Sequence, residues 1–240
     1  MRLDKLLTAA GLTRAQAKRA VAEGRARVNG EVARDAGLRV DGMQVLLDGR
    51  PVTEPGEVYW MLHKPAGVLT AVRDAREKTA FALLPEDVRR RAPSPIGRLD
   101  RDVTGLLLFT THGELLHRLI SPRYAVEKVY IARVEGTPDA SDAETLAAGV
   151  AFSDFTARPA RLEVLEEGLV RLTVTEGRYH EVKRLLAAVG HPVLSLAREA
   201  MGGVQLDADL DAGEGRPLSD DEIARLFRAA QLDAEQNDHP

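Results

Sequence analysis

Between Tyr59 and Val174 the chain falls into short apolar runs of strand length, separated by charged or glycine-containing stretches. "VYWMLHK" ends at Lys64-Pro65, and "GLLLFTT" is apolar at almost every position, the pattern of a buried strand. "KVYIARVEG" alternates, and "PARLEVLEEGLVRLTVTEG" divides into two strands around Glu167-Gly168. The period then changes: in "YHEVKRLLAAVG", Val182, Leu185, Leu186 and Val189 share one helical face, with Gly190 as the stop. Ser219 and Glu222 in "SDDEIARLF" have capping-box spacing for a terminal helix. Strand-rich segments with scattered helices predict an α+β fold, and no internal repeat at a fixed short period is visible.

The first fifty residues have a different texture, that of a compact αα-plus-hairpin module. Thr13 with Gln16 three residues on has capping-box spacing, an Ala-rich stretch follows, and Gly24 suits a left-handed C-terminal cap, so a helix is predicted over about 13–23. Lys18, Arg19, Arg25 and Arg27 sit near its C-terminal half, where the helix dipole favours cations; a well-capped surface helix would show the same charges. "RVNGEV" is an Asn-Gly hairpin signal, and "MQVLLDGRPV" reads as a further strand and turn. "DGRPVTEPGEV" reads as a linker and "LDAEQNDHP" as a disordered end. The predicted organisation is a small module over residues 1–50, a linker over 51–57, a larger domain over 58–230 and a tail over 231–240.

A length of 240 residues suits one small and one larger domain, and a 44% hydrophobic share supplies a core without staples. The absence of cysteine excludes disulfides, thiol catalysis and cysteine-based metal sites. The six histidines lack HExxH or HxxxH spacing, so no metal site is expected. No apolar run approaches the roughly 18 residues of a membrane span. "MRLDKLLTAAG" carries charges where a signal peptide needs an apolar stretch, and the expectation is a cytoplasmic protein. The net charge of −4 conceals an asymmetry: Met1 to Arg39 holds nine Lys/Arg against four Asp/Glu, while the region after Gln205 is acidic. A basic head of this kind suits an anionic partner.

Charge is also crowded against the core. "PIGRLDRDVTGLLLFTTHGEL" places Arg98, Asp100, Arg101 and Asp102 directly ahead of an apolar strand. A solvated loop whose arginines pair with its aspartates has the same composition. No GxxxxGK[ST], GxSxG or GxGxxG motif pulls the reading elsewhere, so the motif alone leaves its chemistry open.

Longer blocks narrow it. "MRLDKLLTAAGLTRAQAKRAVAEGRARVNGEVA" resembles an S4 RNA-binding domain, which implies that Arg2, Lys5, Arg14, Lys18, Arg19, Arg25 and Arg27 reach RNA phosphates. "GRLD" running on to Thr104, Gly105 and Leu106 resembles the signature of the pseudouridine synthases that act on ribosomal RNA. "MLHKPAGV", "SPRYAVEKVYIARVEG" and "EGRYHEVKRLLAAVGHPV" agree with it in order. The resemblance implies a mixed, largely antiparallel β-sheet catalytic domain behind the S4-type module, no cofactor, ribosomal RNA as partner, no membrane association and a monomer. Carried over by position, Asp100 is the nucleophile, and Asp102 is not. Arg98, Tyr130 and Lys183 contact substrate, Tyr130 packing against the target base and Lys183 pairing with the catalytic carboxylate. Tyr130 as ordinary strand core and Lys183 as an exposed helix lysine are the plain alternatives.

The chemistry suits these residue types. Making pseudouridine requires breaking the N1–C1′ bond, turning the uracil and rejoining it through C5; a carboxylate can act as nucleophile at C1′ or as base towards the C2′ proton. An opposite charge within several ångströms favours its ionised form, so a buried Asp100–Lys183 pair and a closed pocket are expected. Glu181 stands where the family often has Gln, and His112 replaces its usual acid before the glycine. "EGRYHEVKR" with "GEGRPLSDDEI" resembles the branch that modifies small-subunit (16S) rRNA, with a large-subunit (23S) enzyme as runner-up. Two readings from other classes are a noncatalytic ribosome-assembly factor and an RNA hydrolase using Asp100 and Asp102 with a metal.

Overall fold

A computed structural model describes residues 1–52 and 56–232. Residues 53–55 of the expected linker and the expected tail from residue 233 onward lie outside the described residues.

The capping box at the head forms as its spacing predicts. Thr13 Oγ1 accepts from the Gln16 backbone N–H at 3.2 Å, and Gln16 Oε1 accepts from the Thr13 N–H at 2.8 Å. After α1 (Leu3–Ala9), this box opens α2 (Arg14–Ala22). Four short strands follow, β1 (Ala26–Val28), β2 (Glu31–Val32), β3 (Val45–Leu47) and β4 (Arg50–Val52), paired antiparallel in the order β2-β1-β3-β4. Asn29 and Gly30 both take positive φ between β1 and β2, which is what a two-residue hairpin turn matched to strand twist requires. Strand β4 runs into the segment expected as linker, because Val52 pairs with Val45 on β3. Leu3, Leu6 and Leu7 of α1 pack with Ala17 and Val21 of α2 and with Val28 and Val45 of the sheet. This compact unit comprises Met1–Glu57 together with Pro85–Ala92, which contains α3 (Glu86–Arg90).

The second unit, Val58–Leu84 and Pro93–Pro240, is built on one sheet. Its elements in chain order are β5 (Tyr59–Lys64), β6 (Ser94–Pro95), β7 (Thr104–Thr110), α4 (Gly113–Ile120), β8 (Lys128–Val134), α5 (Ala140–Ala148), β9 (Arg161–Glu166) and β10 (Leu169–Val174). They continue with α6 (Glu181–Ala188), β11 (Val193–Met201), β12 (Val204–Gln205), β13 (Gly215–Pro217) and α7 (Asp220–Ala229). The strand order is β13-β5-β7-β11-β8-β10-β9, with β6 on β7 and β12 on β11. The β7–β11 pairing is parallel and the others described are antiparallel, so the sheet is mixed and largely antiparallel, as expected.

Strand β7 is buried at every position after Thr104, which explains its unbroken apolar run. One face of the sheet packs Met61, Leu106 and Leu108 against Leu115 and Leu119 of α4 and Leu226 and Phe227 of α7. The opposite face carries a transverse row set by register: Lys64 pairs with Gly105, Gly105 with Arg198, Arg198 with Tyr130, and Tyr130 with Leu172. Directly paired residues share a face of the pleat, so Lys64, Arg198 and Tyr130 stand on the same side of the sheet. Gly105, at φ +100, is what lets the row close up: a Cβ there would lie 2.3 Å from the Arg198 carbonyl oxygen.

Candidate active site

Asp100 lies in the loop that enters β7, and that loop is fastened from below by the segment after β5. Lys64, fully buried, donates from Nζ to the carbonyls of Val103 at 2.7 Å, Pro65 at 3.1 Å and Arg101 at 3.3 Å. The Gly67 N–H donates to the Arg101 carbonyl at 2.8 Å. Thr70 Oγ1 both donates to the Leu99 carbonyl at 2.8 Å and accepts from the Leu99 N–H at 3.1 Å. The backbone on either side of Asp100 is therefore fixed, and its side chain is about a third exposed. These bonds give a physical reason for "HKPAGVLT" to accompany "GRLD".

Lys183, on the first turn of α6, stands over the loop. Its Nζ hydrogen-bonds both oxygens of Asp102, at 2.8 and 2.9 Å, and lies 3.6 Å from Asp100 Oδ2. Asp102 is itself well exposed, and the Lys183 bonds hold its carboxyl below the usual carboxylate range. His180 approaches from the N-terminal end of the same helix, with Nε2 3.5 Å from Asp100 Oδ2. The structure thus brings Asp100, Asp102, Lys183 and His180 together. Two expectations change. The Asp100–Lys183 pair is neither buried nor directly hydrogen-bonded, because the ammonium's bonds go to Asp102; and the carboxylate stands partly open to solvent instead of enclosed. Lys183 is a loop-bridging cation, not an unengaged surface lysine.

Tyr130 is buried in β8 on the same sheet face as Lys64. Arg98 is exposed and makes no side-chain hydrogen bond or ion pair with a described residue. Glu181, which replaces the expected Gln, is buried at the start of α6 and accepts from the Arg178 N–H at 3.2 Å; burial pushes its carboxyl up. His112 caps α4: its Nδ1 accepts from the Leu115 N–H at 3.1 Å at the start of the helix. Each of these two residues makes a local hydrogen bond, and neither contacts Asp100.

Sequence reasoning missed Lys64, Thr70, His180 and Arg198. Lys64 carried a signal, a charged residue closing an apolar strand; Arg198 carried none, because its strand was not recognised. Arg198 is buried, donates from Nε to the Leu106 carbonyl at 2.8 Å and leaves Nη2 without a partner. Lys128 is also buried, donating to the Val126 carbonyl at 2.8 Å. Burial pulls both Lys64 and Lys128 down to about 8, and Arg198 adds to the effect at Lys128. An unfolded chain would keep both protonated up to their ordinary value of 10.5. Between pH 8 and pH 10.5 the unfolded state therefore binds more protons, and stability rises with pH across that window. Thermal melts in matched buffers are expected to show the midpoint climbing from pH 8 to 10, with a shallower climb for Lys128→Met; a flat or falling curve in the parent protein would contradict it.

In the first unit, Lys5, Arg14 and Lys18 are exposed and form no ion pair with a described residue. Arg2 pairs with Asp4, Arg19 with Glu23 and Arg25 with Asp48, while Arg27 donates to the Gly30 carbonyl. The seven expected phosphate contacts thus divide into three open cations and four with local partners. No helix among the described residues is long and apolar enough to cross a membrane.

Residues 58–188 match the family model described as RNA pseudouridylate synthase, and residues 1–46 match the S4 domain. The chain is 43% identical over 232 residues to "Ribosomal small subunit pseudouridine synthase A" of Escherichia coli (strain K12), covering 94% of this chain and 100% of that one. It is 38% identical over 240 residues to an uncharacterized RNA pseudouridine synthase of Aquifex aeolicus (strain VF5), covering 97% and 96%. A crystal structure described as a pseudouridylate synthase superposes with a TM-score of 0.67 at 33% identity, over 94% of this chain and 99% of that one.

Proposed function

The chain belongs to the RNA pseudouridylate synthase family, and from that premise we propose that it isomerises one uridine of 16S ribosomal RNA with Asp100 as nucleophile. The observation that carries the reading is a single one: a partly exposed carboxylate, on a loop fastened on both sides, with two basic side chains within 3.6 Å. Fixing the loop pre-orients the attacking oxygen, so little conformational entropy is lost as the reaction begins. The name of the Escherichia coli relative supports the small subunit as substrate.

In this reading the Asp100 carboxylate attacks C1′, and the N1–C1′ bond breaks with its electron pair passing to the uracil ring. The freed ring turns, C5 bonds to C1′, and the carboxylate leaves with the pair that had bound it. C5 then loses its proton and N1 gains one, so atoms and electrons balance. Lys183 and His180 sit where the carboxylate's charge is spent in the first step and restored in the second. Tyr130 offers a flat face to the extruded base, and Arg98 an unpaired cation to the neighbouring backbone. The second unit is the catalytic domain, without the Pro85–Ala92 stretch that the expected 58–230 span included, and the first unit is an S4 RNA-binding domain that adds phosphate affinity. A ribosomal RNA substrate fits a cytoplasmic location, where ribosomes assemble.

The open cations of the first unit give a quantitative expectation. A Lys5→Gln, Arg14→Gln, Lys18→Gln protein should bind rRNA fragments more weakly, with the slope of log affinity against log salt reduced by about 2 to 3. An unchanged slope would remove these residues from the interface.

Carbodiimide primer extension on rRNA from cells lacking the protein, rescued with wild type or Asp100→Ala, tests the reading as a whole. The expected result is one missing 16S stop, restored by wild type alone. A missing 23S stop would move the substrate to the large subunit. No missing stop, or full rescue by Asp100→Ala, would favour a noncatalytic assembly factor.

A further inference from the structure

Tyr179 is 74% exposed, an unusual cost for an aromatic ring, and it sits beside the candidate nucleophile. Its ring stacks on His180 with centroids 3.8 Å apart and planes within 18°, and His180 Nε2 lies 3.5 Å from Asp100 Oδ2. One face of the tyrosine is thus backed by a ring that touches the carboxylate, and the ring as a whole stays largely open to solvent. His180 holds this position at φ +51, a left-handed backbone that a non-glycine residue adopts only when its surroundings over-determine it. Along the chain, Arg178, half-exposed and ion-paired with Glu176, precedes Tyr179, and Arg98 lies two residues before Asp100. An exposed aromatic ring, stacked on the histidine that faces Asp100, suits an unpaired nucleotide whose base lies on the ring.

We propose that Tyr179 is a stacking platform for the RNA base adjacent to the target uridine. The inference rests on the proposed function, because a uridine drawn out to Asp100 leaves its neighbour without a stacking partner, and Tyr179 stands one ring away from that carboxylate. The platform is a positioning element: it holds the strand in register and takes no part in bond making. Tyr130 and Tyr179 then divide the work, one meeting the reacting base from within the sheet and the other meeting its neighbour at the surface.

The test compares Tyr179→Ala and Tyr179→Phe full-length proteins. The first readout is fluorescence of a short single-stranded RNA with 2-aminopurine beside its only uridine. The second is release of tritium from C5 of uridine in a 16S rRNA transcript. Stacking of one base is lost with the ring, so Tyr179→Ala should abolish the quenching and raise KM roughly 5- to 100-fold with kcat nearly unchanged. Tyr179→Phe, which keeps the ring face, should behave as wild type in both. Normal quenching and KM in Tyr179→Ala would overturn the proposal, as would a Tyr179→Phe protein as impaired as Tyr179→Ala, since the hydroxyl would then be the active group. Failure of the proposed function reads differently: wild type would release no tritium, while the quenching comparison would still decide whether Tyr179 stacks on a base.

Discussion

Asp100→Asn protein is expected to fold and to bind ribosomal RNA as the parent does, yet to form pseudouridine at least about 10³-fold more slowly. The substitution is nearly isosteric, and the backbone around residue 100 is held by Lys64, Gly67 and Thr70 and not by the Asp100 side chain. A third-exposed side chain contributes little to the core, so stability should change by less than about 1 kcal/mol. The amide has no anionic oxygen to attack C1′, and nothing else in the loop replaces it, because both Asp102 oxygens are engaged by Lys183. Single-turnover tritium release with filter binding on the same samples separates chemistry from affinity. A residual rate within tenfold of the parent would place the nucleophile elsewhere, with Asp102 the first residue to try.

The second large effect is expected at Lys183, and its contrast with Asp102 is the informative part. Lys183→Met should lower kcat by about 10²-fold or more, whereas Asp102→Asn should change it less than about fivefold. At 3.6 Å from Asp100 Oδ2, a unit positive charge contributes an attraction of about 5 kcal/mol at an effective dielectric of 20, and solvent at this partly open site reduces that to a fraction. Removing it also leaves Asp100 and Asp102 with no ammonium between them. Neutralising Asp102 does the opposite: it frees the ammonium to turn towards Asp100. Partial recovery in Lys183→Arg would show that charge, not aliphatic packing, is what matters. If Asp102→Asn proved as damaging as Lys183→Met, the bidentate Asp102–Lys183 contact would be the functional element.

Much of this site was legible before the fold was known, and the reasons are local. Each block that pointed to chemistry is short and contiguous, so its residue types and order survive without any tertiary information. The helix over 13–23, the Asn-Gly turn and the Ser219 capping box were equally readable, because a cap or a tight turn is decided by hydrogen bonds within four residues. What failed was the central strand β11. "VLSLAREAM" has no period-two alternation and is rich in helix formers. It is a strand because β7 and β8 flank it on either side, a tertiary constraint that overrides propensity. With β11 unread, Arg198 and the close approach at Gly105 could not be anticipated.

The pairing of charges failed for the same reason. Sequence alone puts two aspartates near a lysine 81 residues away without saying which oxygen receives the ammonium; the reach of α6 over the loop gives it to Asp102. Lys64 likewise reads as the end of a strand until the loop folds over it and supplies three carbonyls. By itself the sequence determined the class of fold, the local elements with caps and turns, the family and the residue proposed to attack. Tertiary structure alone decided the strand between β7 and β8, the partner of Lys183, and the placing of His180 and Tyr179 beside Asp100. The division is physical: propensity, capping and motif identity are encoded within a few residues, whereas strand order and ion pairing depend on which distant segments the closing sheet brings within a few ångströms.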